Sequence, residues 1–181
     1  MKNDKQTQDK PFKVGDIIID FSHVYRVFKI EKRKSAEDKK EKVIYFKLYY
    51  KTKQNKDLVC SIPVKNIGLT HIRKPISKNK MKKLLKKLSE KEDEERFINM
   101  NQAKEKLKLN KPSTTAQILK GLWLDKQDES TNFTDNRRNL LNLSMKQLVE
   151  EIAFVFGISV AQAKGKIKRR LKKLGNGQDE T

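Results

Sequence analysis

The chain is poor in the residues that make covalent frameworks or carry covalent catalysis. Among 181 residues there is one cysteine, Cys60, and there are two histidines, His23 and His71. A single cysteine excludes an internal disulfide and suits a reducing compartment. Cys60 falls in an apolar, strand-like run with no histidine placed to activate it, so it reads as a small core residue rather than a nucleophile. One cysteine and two distant histidines do not make a zinc site. No apolar run approaches the roughly 18 residues of a membrane span. Met1 to Lys10 is polar and lacks the apolar core of a signal peptide, which predicts a cytoplasmic protein. There is no glycine-rich phosphate loop and no histidine–carboxylate pairing, so neither an enzyme nor a cofactor is expected.

Positive charge is what the chain has in excess. Lysine and arginine number 43 against 23 acids, a net charge of +20. Hydrophobic residues make up 35% and charged residues 36%, a balance that predicts small cores with loose ends. A polyanionic partner follows, nucleic acid before an anionic membrane. The competing interpretation is a solvated lysine-rich surface. Clustering of the excess favours nucleic acid.

Two kinds of periodicity divide the chain. Strand-like runs fill Phe12 to Arg73: Lys13–Asp20, Tyr25–Arg33, Val43–Lys51, Leu58–Ile62 and a short fifth strand within Asn66–Arg73. A charged loop, Lys32–Lys42, and a polar turn, Lys53–Asp57, separate them. Five short strands in about 60 residues predict a small SH3- or Tudor-like β-barrel. Pro75 then breaks the chain, and the period changes to helical. Ser77 caps a helix with Met81, Leu84, Leu85 and Leu88 on one face. Arg96–Leu109 forms a second helix. Pro112 opens a third with Ile118, Leu119, Leu122 and Trp123 as its apolar face, followed by a loop over Asp125–Asn132. Thr134 caps a fourth carrying Leu141, Met145, Leu148, Ile152 and Phe156, ended by Gly157. Ser159 caps a fifth with Val160, Ala163, Ile167, Leu171 and Leu174 buried. The expected fold is α+β. A polar tail (1–10) precedes a barrel (11–76), an all-α helical bundle (77–174) and a second tail (175–181).

The fifth helix concentrates the charge. Lys164, Lys166, Lys168, Arg169, Arg170, Lys172 and Lys173 occur without an acid among them. Such a helix can lie along phosphates, releasing counterions as each is neutralised. Lys166, Arg169, Arg170 and Lys173 are the candidate contacts, with Lys104 as a further one on the second helix. Against these stands the solvated-face interpretation. Membrane attachment fits less well, because the apolar stripe lacks bulky aromatics and is needed for the bundle.

The order of motifs resembles the CarD/CdnL family of bacterial transcription regulators. The matching stretches are Phe12-Lys13-Val14-Gly15-Asp16, His23 and Val27, Ile62-Pro63-Val64-Lys65-Asn66 and Glu105-Lys106-Leu107. They continue with Leu122-Trp123, Gln127, Phe133-Thr134, Leu140-Leu141 and Gln147-Leu148-Val149-Glu150-Glu151-Ile152-Ala153. The resemblance covers roughly residues 11 to 174. It implies a barrel that docks on the β subunit of RNA polymerase and a helical domain that touches double-stranded promoter DNA and stabilises the open complex. It places a polymerase-binding basic residue on Arg33, and a second, substituted position on Ser61. Leu58, Val59 and Ile62 share that candidate edge strand. The family's tryptophan wedge falls on Arg96, with Phe97 beside it, so the resemblance assigns the wedge contact to that pair. The usual glycine-containing turn is shortened here to His23-Val24-Tyr25-Arg26-Val27, without glycine. A monomer is expected. The alternative is a general basic binder of RNA or DNA with no polymerase partner.

Overall fold

The computed structural model describes residues 12–34, 40–90, 99–130 and 132–175. Four strands, β1 (Ile17–Asp20), β2 (His23–Lys34), β3 (Lys40–Leu48) and β4 (Val59–Pro63), form one antiparallel sheet in sequence order. Five helices follow: α1 (Lys78–Lys87), α2 (Met100–Lys108), α3 (Pro112–Gln127), α4 (Asp135–Phe156) and α5 (Val160–Gly175). The chain is therefore α+β, with the sheet first and the helices after it.

The sheet opens with a turn that only glycine accommodates easily. The Asp16 N–H donates to the Lys13 carbonyl at 3.0 Å, and Gly15 sits at φ 92°. A Cβ at this position would be strained. The Gly15 N–H then donates to the Val27 carbonyl at 2.8 Å, tying the turn to β2. The β1–β2 connection is tighter still. Asp20 pairs with His23, leaving Phe21 and Ser22 as a two-residue turn. Phe21 adopts φ 51°, a conformation that hairpin turns usually assign to glycine or asparagine. His23–Val27, expected as a shortened turn, is instead the start of strand β2, and the turn before it is closed by an aromatic residue at positive φ.

The expected fifth strand is not formed, and the sheet is not closed. Val64–Leu69 curls into a 3-10 helix instead. Pro63 immediately before it holds φ at −62° and has no N–H to continue a ladder. Beyond it, only Arg73 reaches the opposite edge, in an isolated bridge with Ile19. The pairing goes no further, since the next hydrogen-bonded partner in line, Pro75, has no N–H to donate. The sheet core packs Ile18, Tyr25, Val27, Ile44, Phe46, Leu48 and Ile72. Cys60 is half-buried against this cluster, as a small core residue should be.

The helical starts and stops follow local chemistry. Side-chain oxygens of Ser77, Asn99 and Thr134 accept first-turn N–H groups of α1, α2 and α4. Ser159 Oγ accepts from the Gln162 N–H at 3.1 Å, and Gln162 Oε1 accepts from the Ser159 N–H at 2.9 Å. This reciprocal pair is a capping box. Gly157, at φ 64°, ends α4. Its N–H bonds the Phe154 carbonyl while the Ile158 N–H bonds that of Ala153.

Some boundaries differ from the sequence expectation. α2 begins at Met100, and residues 91–98 lie outside the described residues. α3 runs on to Gln127, because Asp125 is buried and salt-bridged to Arg137 of α4 rather than released into a loop. Val160, expected inside, is exposed, whereas Ala163, Ile167, Leu171 and Leu174 are buried with residues of all the other helices. Trp123 is half-buried against that core, with Lys126 6.0 Å from its ring, rather than enclosed by it.

Candidate nucleic-acid and partner interface

The strand register decides which side chains share the outer face of the sheet. Lys29 pairs with Tyr45, which pairs with Ser61; Arg33 pairs with Glu41; and Lys47 lies between Arg26 and Val59. Residues directly opposite project to the same side, and alternate residues of a strand share a face. A bulge between Val27 and Lys29 brings Phe28 to this side as well, where Lys47 lies 5.1 Å over its ring. Arg33, Ser61 and Val59 therefore occupy one surface. Ile62 does not. It pairs with Ile44 and packs on the inner core, so its side chain serves the fold.

This outer surface has its own charge network. Glu31 accepts from Arg33 Nε at 2.7 Å and meets Lys29 Nζ at 2.5 Å. The Lys29 ammonium, then the Arg33 guanidinium, hold the Glu31 carboxyl down at about 2. The Arg33 guanidinium also lies 5.0 Å from the Tyr45 ring centroid. Arg33 thus meets both Glu31 and Tyr45 on this face while its side chain stays 60% exposed.

Beside this surface runs an edge. In the sheet order β4 is terminal, bordered by β3 on one side only among the described strands. Leu58 is 49% exposed and Val59 54% exposed. An edge strand with exposed apolar side chains is a template for another strand.

The sheet and helices are joined by buried polar contacts from α4. Glu150 accepts from the Val24 N–H at 2.9 Å and lies 2.9 Å from His23 Nδ1. Glu151 accepts both outer nitrogens of Arg73, at 2.7 and 2.6 Å, and the Ile76 N–H at 2.9 Å. Asn110, at φ 52° just past α2, donates to the carbonyls of Ile19 and His71 and accepts from Arg73 Nε at 2.7 Å. Tyr49 stacks edge-on against Phe154 at 5.2 Å. The sheet and the helices are therefore joined chiefly through α4.

The helix α5 follows α4 directly and packs on α4, α3 and α1. Its buried stripe is narrow, and every other side of the helix carries lysine or arginine. With successive residues turned by about 100°, Arg169, Lys173, Lys166 and Arg170 fall within a sector of about 100°. They lie within eight residues, about 10 Å of helix from first to last. Arg169, Arg170 and Lys173 are exposed, while Lys166 is half-buried with its ammonium 5.4 Å from the Phe156 ring. Lys104 is exposed on α2, which packs on α3 and α4, whereas α5 packs on α4, α3 and α1. Arg96 and Phe97 lie outside the described residues.

The residues sequence reasoning passed over are those of the junction: His23 as a partner of Glu150, Arg73, Asn110 and Glu151. A signal existed. Glu151 stands three residues after Leu148 and one before Ile152, on the stripe α4 buries, and an acid there needs a partner.

Among the described residues no group of histidines, cysteines and acids is placed to hold a metal ion, and no helix is long and apolar enough to cross a membrane. No protein-family model matches this chain, and no curated protein matches it significantly.

Proposed function

We propose that this protein is a transcription regulator that docks on the β subunit of RNA polymerase through its sheet and touches double-stranded promoter DNA through its helical body. The observation that carries the reading is the presence of two different surfaces on one joined body. One is an outer sheet face that bears Arg33 on β2 and ends at the edge strand β4. The other is the acid-free, basic helix α5. Glu150 and Glu151 join the sheet half to α4, on which α5 packs. A protein gripping polymerase at one end would hold α5 at a set position over the DNA entering it. The sheet would offer β4 for strand addition, Arg33 and Ser61 for side-chain contact, and Leu58 and Val59 for apolar burial. The helices would offer Lys166, Arg169, Arg170 and Lys173 to phosphates. In this reading the protein is a cytoplasmic, monomeric interaction protein without catalysis.

Affinity capture of bacterial RNA polymerase by the full-length protein tests the docking step. The wild type is expected to retain the polymerase core, and Arg33→Glu to weaken retention while leaving the circular dichroism spectrum unchanged. Undiminished retention by Arg33→Glu removes the docking assignment. The second reading, a general nucleic-acid binder, is favoured by the +20 charge alone. It predicts RNA and DNA binding of similar strength with no polymerase retained.

A further inference from the structure

A groove of about 300 Å³ lies between α1 and the first two turns of α3. Its apolar walls come from Ile76, Leu84, Leu88 and Ala116, and three lysines of α1, Lys80, Lys83 and Lys87, line it with Lys120 of α3. Neither the sheet surface nor α5 contributes to it, so it is separate from both interfaces discussed above. We propose that this groove receives an acidic amphipathic helix from a partner protein, which buries two or three aliphatic side chains between α1 and α3 and sets its carboxylates against the three lysines of α1.

Four observations select that occupant. Lys80, Lys83 and Lys87 are spaced i, i+3, i+7, so they form a row about 10 Å long on one side of α1. A single carboxylate, such as that of a fatty acid, engages one lysine; a row of this length matches acids at the same spacing on a second helix. The sign is unopposed by the helices that form the groove. α1 contains no acid, and the one acid of α3, Asp125, lies near its opposite end and is paired with Arg137. The walls are aliphatic. A groove that takes up unpaired nucleobases uses aromatic faces for stacking, and none lines this one. Finally, Leu84 and Leu88, one turn apart and rooted in the helical core, form an apolar floor against which an incoming aliphatic side chain can pack.

The test uses the full chain with methyl-labelled isoleucine and leucine. The probe is a capped synthetic peptide of about 16 residues, with leucines at i, i+4 and i+7 and glutamates flanking them. Binding is expected to shift the Ile76, Leu84 and Leu88 methyl signals. Replacing the peptide's leucines with alanine is expected to weaken binding by about tenfold or more. Lys83→Glu with Lys87→Glu should produce a similar loss. Lys82→Glu with Lys86→Glu changes net charge equally on the same helix, outside the groove, and is expected to stay within about threefold of wild type at physiological salt. Equal losses in the two charge-reversed pairs would reduce the effect to net charge and overturn the proposal. So would peptide binding that leaves the groove methyls unmoved. Oleate or a single-stranded oligothymidine that shifts those methyls more tightly than the peptide would assign the groove to a lipid or a nucleic acid instead.

Discussion

Arg73 and Glu151 form a two-point salt bridge, both outer guanidinium nitrogens meeting both carboxylate oxygens at 2.7 and 2.6 Å. Glu151 is 1% exposed. Arg73 is at the same time the residue that bridges β1, so one side chain joins the sheet edge to the middle of α4. Replacing Arg73 by methionine removes the partner and leaves a carboxylate in the interior. The expected cost is about 3–5 kcal/mol in urea unfolding. The two halves should also lose their common transition, the sheet melting before the helices. A cost under about 1 kcal/mol would mean the pair is not what couples them.

The strained turn makes a prediction of opposite sign. Phe21 stands at φ 51° in a two-residue hairpin. A left-handed conformation costs a bulky residue about 1–2 kcal/mol, while glycine's extra freedom in the unfolded chain costs about 0.5–1 kcal/mol. Phe21→Gly should therefore be neutral to stabilising, by up to about 1 kcal/mol. A clear loss of melting temperature would show that the half-exposed ring contributes packing that outweighs its strain.

The helix α5 is tested by salt. If Lys166, Arg169, Arg170 and Lys173 each neutralise a phosphate, log K for duplex DNA falls by about 0.9 per contact for each tenfold rise in salt. Converting all four to glutamine should flatten the slope by up to about 3.6. Circular dichroism should be unchanged, since the buried stripe is untouched. An unaltered slope would leave α5 a solvated face.

Acid titration checks the sheet surface. Glu31 lies well below its ordinary value, at about 2, because of Lys29 and Arg33. A depressed carboxyl contributes stability that is present above its unfolded pKa and is lost as pH falls through the folded one. The window is therefore about pH 4.5 down to 2. Carbon-detected NMR should show the Glu31 carboxyl titrating near the bottom of that window. Lys29→Ala should raise its midpoint. A wild-type midpoint near the ordinary value of 4.5 would show that the pairs are not held in solution.

Caps, breaks and amphipathic stripes were legible in the sequence because they are local. Ser77, Thr134, Ser159 and Gly157 each act within a few residues of themselves, and each does in the structure what its residue type predicts. The buried faces of α1 and α4 followed from helical spacing for the same reason. The α5 stripe was readable from Ala163 onward but not at Val160, which the packing of the helices leaves exposed. The candidate site divides in the same way. The basic sector of α5 was readable from residue type and period alone, which is why Arg169, Arg170 and Lys173 emerge exposed.

Pairing and burial between distant residues belonged to the tertiary structure. Nothing near Ile62 in the chain indicates that it faces inward; its alignment with Ile44 sets that. The segment around Val64–Leu69 has strand-like residues, yet Pro63 before it and Pro75 after it leave it a 3-10 turn and a single bridge. The junction lies furthest from sequence reasoning, since Glu150 meets a residue 127 positions away and Glu151 one 78 away. An acid in an apolar stripe announces that a partner is required, because an unpaired buried charge is too costly to keep. Which residue answers it is decided only when the chain has brought the sheet edge and α4 together.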